Sequence, residues 1–154
     1  MREIKAPQVP ERKRRGEKYV FLAGSIEMGT AVDWQAEVRT KLENIDVVVL
    51  NPRRDDWDSS WVQSISNPQF KEQVEWELDM LYEADEIFLY FDPKTKSPIS
   101  LLELGLFASS RKLTVCCPEG FWRKGNVEIV CDHYDISLFT SLDEAIAQLI
   151  KFVG

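Results

Sequence analysis

Tyr19-Val-Phe-Leu-Ala-Gly-Ser-Ile26 is a continuous apolar run that ends in small residues. A strand with one wet face alternates apolar and polar positions. A run without alternation belongs to a strand buried on both faces, as in a parallel sheet covered by helices. Asp46–Leu50, Ile87–Phe91 and Leu113–Cys117 read the same way, and Ile136–Phe139 reads as a fifth, short strand. Helical patterns fill the intervals. One runs from about Val32 to Asn44, with Val32, Ala36 and Leu42 inward. A long one opens at Asn67-Pro68 and reaches about Ala84, and a third starts at Ser97. A last helix is capped by Ser141, with Asp143 and Glu144 in its first turn and Ala145, Leu149 and Phe152 inward. The alternation predicts an α/β fold: a flavodoxin-like, doubly wound sheet of about five mostly parallel strands with helices on both faces. Ligands in such sheets bind outside the carboxyl ends of the strands, near the switch point. The loops there are 24–30, 51–61, 92–97 and 118–126.

The totals restrict the possibilities. A chain of 154 residues with 44% hydrophobic and 29% charged content suits one soluble domain. Residues 1–17 contain Pro7, Pro10 and scattered charge and read as a flexible basic leader, leaving 18–154 as a single domain. The net charge of −7 is uneven: residues 1–18 carry seven Lys/Arg against three Glu, and the acid lies in the rest. So acidic a body is a poor nucleic-acid binder, and Arg12-Lys13-Arg14-Arg15 reads as a solvated arm. No apolar run would span a membrane, and the N-terminus has no secretory apolar core. Cys116, Cys117 and Cys131 read as buried free thiols of a cytoplasmic protein. One histidine, His133, without a Cys-x-x-Cys pair argues against structural zinc, so no metal is expected.

Ser97-Pro-Ile-Ser-Leu-Leu-Glu-Leu-Gly-Leu-Phe-Ala108 carries the first candidate for chemistry. Ser97 suits an N-cap and Pro98 the first helical position. Counting by three and four, Glu103 shares a face with Ile99, Leu106 and Phe107 that should pack inward. Two readings are open: Ser100-x-x-Glu103 as a capping box, or Glu103 as a catalytic carboxylate. The long helix carries a second misplaced acid, Glu77, in phase with Phe70, Val74 and Leu81; it either pairs with a cation or cap or serves chemistry. Two inward carboxylates on different helices fit reaction at an acetal carbon. One attacks the sugar carbon to give a glycosyl ester, and the other handles protons or orients the first. Asp55, Asp56 and Asp92 at strand ends are further candidates for holding sugar hydroxyls or a base, and Trp57 with Trp61 for stacking it. The chain lacks G-x-G-x-x-G, G-x-x-x-x-G-K-[ST] and G-x-S-x-G, which excludes a Rossmann cofactor site, a P-loop and a serine hydrolase.

With these residues in view, the chain resembles the nucleoside 2-deoxyribosyltransferase family, including its 2'-deoxynucleoside 5'-phosphate N-hydrolase branch. The resemblance covers Tyr19 to about Asn126. It rests on Phe21-Leu-Ala-Gly-Ser-Ile26, Asp85 before the third strand, and Ser97…Glu103-Leu-Gly105…Ala108. It implies that Glu103 is the nucleophile and that Glu77, twenty-six positions earlier, stands for the family's active-site aspartate. It places on Ser97 a polar residue that is aspartate in transferases and serine in the phosphate-accepting branch. Asn126 falls on an asparagine that serves a neighbouring subunit's site. Gly24, Ser25, Asp55, Trp57 and Asp92 complete the expected substrate site. Phe21 replaces a frequent tyrosine, Glu77 an aspartate, and Glu27 an arginine of the phosphate-accepting branch. An acid at 27 repels a 5'-phosphate and favours a free nucleoside, unless Arg53 or Arg54 compensates. The helix N-terminus at Ser97 is expected to keep Glu103 ionised.

The implied activity is transfer of 2-deoxyribose between nucleobases through a glycosyl-Glu103 intermediate, without cofactor, in a homo-oligomer that places Asn126 across the interface. The alternatives are an N-glycoside hydrolase of (deoxy)nucleosides or their monophosphates, and a non-catalytic module binding a nucleoside-like ligand.

Overall fold

A computed structural model describes residues 1–26 and 32–154. The elements in chain order are β1 (Arg2–Lys5), β2 (Tyr19–Gly24), α1 (Trp34–Leu42), β3 (Val48–Asn51), α2 (Pro68–Glu83), β4 (Glu86–Tyr90), α3 (Pro98–Phe107), β5 (Leu113–Cys116), α4 (Lys124–His133), β6 (Ser137–Phe139) and α5 (Leu142–Val153). All strands pair in parallel in one sheet of order β1-β3-β2-β4-β5-β6. Without β1 this is the doubly wound order in which the first core strand lies between the second and third. The chain reverses its direction of travel across the sheet at the β2–β4 boundary, and the carboxyl ends of those strands are Gly24 and Tyr90.

Apolar packing divides into two layers. One face of the sheet (Val20, Leu22, Val49, Phe88) is covered by Trp34, Val38 and Leu42 of α1 and by Ala145, Ile146 and Leu149 of α5. The other face (Phe21, Ala23, Leu50, Ile87, Leu89) is covered by Trp76 and Met80 of α2, Leu104 and Phe107 of α3, and Val127 and Cys131 of α4. Helices on both faces explain why β2, β3, β4 and β5 lack alternation.

Three readings change. Residues 1–17 are not a uniformly flexible leader. Arg2–Lys5 is an edge strand in register with Val48–Asn51, and Ile4 and Ala6 enter the core. Lys13 of the basic run pairs with Asp85 at 2.6 Å, and Asp85 also accepts the Tyr19 amide at 2.7 Å. The turn expected over 118–126 ends at Arg123, and α4 follows, a helix not expected from the sequence, which buries Val127 and Cys131. Several helix phases rotate. Val32 precedes α1 and is exposed, Phe152 gives way to Ile146 and Val153 on α5, and Val74 is half-exposed while Gln73, Trp76 and Met80 face the sheet. Cys116, Cys117 and Cys131 are buried and free. Among the described residues no helix is long and apolar enough to cross a membrane, and no cluster of ligating side chains that could hold a metal ion occurs.

Candidate active site

Gly24 ends β2 with φ +137, a conformation that side-chain-bearing residues rarely adopt. A Cβ there would lie 2.3 Å from the Tyr90 carbonyl oxygen, so glycine is what lets β2 run this close to β4. Ser25 follows, 2% exposed, with its hydroxyl at the centre of a buried polar knot. Ser25 Oγ accepts the Asp92 amide at 2.8 Å and Thr95 Oγ1 at 3.0 Å and shares a hydrogen bond with Ser97 Oγ at 2.5 Å. Thr95 and Ser97 are themselves bonded at 2.6 Å. The Ser25 amide donates to Tyr90 O at 3.0 Å, and its carbonyl accepts Trp34 Nε1 at 2.9 Å. The knot fastens the end of β2 to the β4–α3 loop at the switch point.

Asp92 belongs to this frame. Its two carboxylate oxygens accept the amides of Val32 at 2.9 Å and Lys94 at 2.8 Å, and the residue is buried. Ser97 occupies the N-cap position of α3 but does not cap with its side chain. Its backbone is left-handed, φ 46 and ψ 54, and its hydroxyl turns into the knot. A left-handed serine is costly and is held there by its surroundings.

Glu103 lies in the second turn of α3, on the face that also buries Ser100, Leu104 and Phe107. The phase differs from the sequence reading, since Ile99 and Leu106 point outward; Glu103 is nonetheless 9% exposed. The capping-box reading does not hold. The helix begins at Pro98, so Ser100 is already inside it, and among the described residues Glu103 makes no hydrogen bond or ion pair. Burial pushes its carboxyl up to about 8, and the charge of Glu77 adds to the rise. Burial therefore works against the expectation that the helix N-terminus keeps Glu103 ionised. That influence is confined to the first turn, and here burial and a like charge both oppose ionisation.

Glu77 comes to this partner from α2. Burial raises its carboxyl as well, opposed by a hydrogen bond from Gln73 Nε2 to Oε1 at 2.8 Å. The same Gln73 nitrogen donates to Pro52 O at 2.8 Å, immediately after β3, which places this part of α2 at the carboxyl edge of the sheet. Glu77 on α2 thus lies near enough to act on Glu103 of α3 through its charge, and neither acid has a cationic partner among the described residues. The charge of Glu77 opposes ionisation of Glu103, in the same direction as burial.

The other expected residues lie apart. Asp55 is exposed and pairs with Lys5 at 3.0 Å. Trp57 is 37% exposed and meets Trp61 edge-on at 5.0 Å. Arg54 binds Asp56 through two bonds of 2.9 and 3.0 Å and lies 3.5 Å from Glu72, and Arg53 lies 3.6 Å from Asp33. Both arginines therefore already face carboxylates. Asn126 is exposed in the first turn of α4. Phe21 is fully buried beside Trp76, ring centroids 6.2 Å apart, so no hydroxyl replaces the frequent tyrosine at that point. Glu27, with the rest of 27–31, lies outside the described residues. Two clefts on the described surface, one between residues 7–9 and α2 and one at the amino edge of β4 and β5, are lined by neither Glu77 nor Glu103.

A family model described as nucleoside 2-deoxyribosyltransferase like matches residues 17–121, from the start of β2 through the start of the segment before α4. The chain belongs to the nucleoside 2-deoxyribosyltransferase-like family. No curated protein sequence matches it. Among solved structures, the crystal structure of a conserved protein from Enterococcus faecalis V583 superposes with a TM-score of 0.60. The alignment covers 88% of this chain and 98% of that one at 9% identity, a likeness of fold. The matched region contains Gly24, Ser25, Glu77, Asp92, Ser97 and Glu103, while Asn126 lies beyond it.

Two residues of this candidate site escaped the sequence reading. Thr95 shares the hydroxyl knot; a threonine in a loop of Lys and Pro gives no periodic signal. Gln73 was traceable in principle, because it lies one helical turn before Glu77 and so on the same face.

Proposed function

We propose that the protein is a nucleoside 2-deoxyribosyltransferase. The observation that carries this reading is Glu103, buried, under the influence of the Glu77 charge from a second helix, and committed to no protein partner among the described residues. Glu103, once ionised, attacks the anomeric carbon of a 2'-deoxynucleoside as the bond to the base breaks. The departing nitrogen takes a proton as negative charge builds on it. Glu77 handles that proton or orients Glu103. A second base then attacks the glycosyl ester, regenerates the carboxylate and leaves as the new nucleoside. No metal or organic cofactor is required by these steps.

The roles of the remaining residues follow from their surroundings. Ser25, Ser97 and Asp92 shape the floor of the site through their mutual bonds, with Gly24 letting the strands close. Trp57 and Asp55 stand on the loop after β3, apart from the acids, where an exposed ring can swing over a base. A free nucleoside suits the site better than a nucleotide, since Arg53 and Arg54 face carboxylates. Asn126 completes a neighbouring subunit's site in a homo-oligomer. Ile99, Leu102 and Leu106 of α3, each more than half exposed, supply apolar surface for such contact.

Ser97 favours a second reading, because the phosphate-accepting hydrolase branch carries serine there. In that case water takes the ester. Incubation with a 2'-deoxynucleoside and a different free base, followed by chromatography, separates the two. Transfer yields a new nucleoside that requires the acceptor; hydrolysis yields free base and sugar regardless of it. Absence of both products would refute the enzymatic reading and leave a nucleoside-binding module.

A further inference from the structure

Gln73 lies on the buried face of α2, one turn before Glu77, and is 5% exposed. Its two ends are unequal. The amide nitrogen donates to Pro52 O and to Glu77 Oε1, both at 2.8 Å. The amide oxygen is buried and has no hydrogen-bond partner among the described residues. A buried acceptor without a donor carries a desolvation cost that an unbranched apolar side chain of similar length avoids. Were packing the only task at this position, methionine would serve it better. What the glutamine gains lies wholly on its nitrogen side, and that side joins two parts of the site. Pro52 opens the loop that carries Trp57, and Glu77 is the carboxylate set against Glu103.

We propose that Gln73 is a positioning residue that clamps Glu77 to the backbone of the loop after β3, so that the loop and the carboxylate hold one mutual arrangement. The proposal rests on Glu77 and Glu103 being the chemical pair. Glu77 hangs from a helix by a flexible side chain. With Oε1 fixed by Gln73, its second oxygen has a defined direction in which to meet a proton or Glu103. A carboxylate displaced by about 1 Å loses on the order of a hundredfold in rate. Because Pro52 shares the same nitrogen, a base seated on the loop also bears on the carboxylate through this one amide.

The test is Gln73→Met, which keeps length and removes the donor. Turnover, thermal unfolding and the rate of trypsin cleavage after Arg53 and Arg54 are measured beside wild type, with Glu103→Ala as a control. The expected result is a kcat lower by about tenfold or more with KM changed little. Thermal stability should change little, because the orphaned acceptor of Gln73 is gone while Pro52 O and Glu77 Oε1 lose their donor, and the 53–54 segment should be cut faster. Wild-type kcat, or a change in KM alone, overturns the proposal. If wild-type turnover proves independent of Glu103, the underlying assignment of the pair fails instead. In that event the cleavage rate decides alone, and unchanged cleavage shows that Gln73 clamps nothing.

Discussion

Replacing Glu103 by glutamine should make the protein more stable, increasingly so as pH rises, while abolishing turnover. In the unfolded chain the carboxyl titrates near 4.5; in the fold burial and Glu77 push it up to about 8. Below pH 4.5 it is protonated in both states and costs nothing. Between those values the unfolded state releases the proton while the fold retains it, so native stability falls with rising pH. Above about 8 the penalty is complete. At about 1.4 kcal/mol per pH unit, the span from 4.5 to about 8 corresponds to a penalty of up to about 5 kcal/mol. Glutamine fills the same space and cannot ionise, so the penalty disappears. For a chain of this size each kcal/mol moves the midpoint by roughly 2–4 °C, so the Glu103→Gln advantage should grow by on the order of 10 °C between pH 5 and 9. Paired calorimetry across that range is the assay, and the pH dependence of groups not coupled to Glu103 cancels in the difference. A difference that stays flat with pH, or a variant less stable than wild type at pH 9, would refute the reasoning. Such a trade of stability for function is common at active sites.

The same titration governs rate. At pH 7 only about one Glu103 in ten is ionised when its value is about 8, so kcat/KM should rise with pH through that value, and Glu77→Gln should move the rise to lower pH by removing a repelling charge. Gly24→Ala should destabilise the fold by about 3 kcal/mol or more in denaturant unfolding, because its Cβ would lie 2.3 Å from Tyr90 O at a positive φ. Ser25→Ala should cost about 1–3 kcal/mol by orphaning the buried Asp92 amide, a loss visible in the same assay. The three thiols should stay unlabelled by a thiol reagent in the native state at pH 8 and react on unfolding. Burial pushes Cys116 and Cys117 up to about 12 and Cys131 to about 11.

The core strands were legible because each is buried on both faces and so is apolar without interruption. β1 was not. Arg-Glu-Ile-Lys holds one apolar residue, and its partner β3 lies more than forty residues away, a pairing no local pattern announces. α4 was hidden by Gly125, by a first turn without a side-chain cap, and by a buried stripe of only Val127 and Cys131. In α3 the burial of Glu103 was legible but its phase was not. A helix apolar on nearly every side gives no angle, and Ile99, Leu102 and Leu106 were as plausible inward as Leu104. The upward push on the Glu103 carboxyl was not legible, since sequence shows the helix start but not how deep in the packing the second turn lies. Ser97 fills its expected place with an unexpected backbone, because the hydroxyls of Ser25 and Thr95, far and near in sequence, draw it away from the helix end.

In the proposed reaction Glu103 forms an ester with the sugar. Rapid acid quench of the protein with a 2'-deoxynucleoside and no acceptor base, followed by digestion and peptide mass spectrometry, detects it. A peptide carrying the mass of one 2-deoxyribosyl residue at Glu103 is expected, gone when an acceptor base is added and missing in Glu103→Gln. A full turnover of substrate with Glu103→Gln, or a sugar adduct on a different residue, would contradict it.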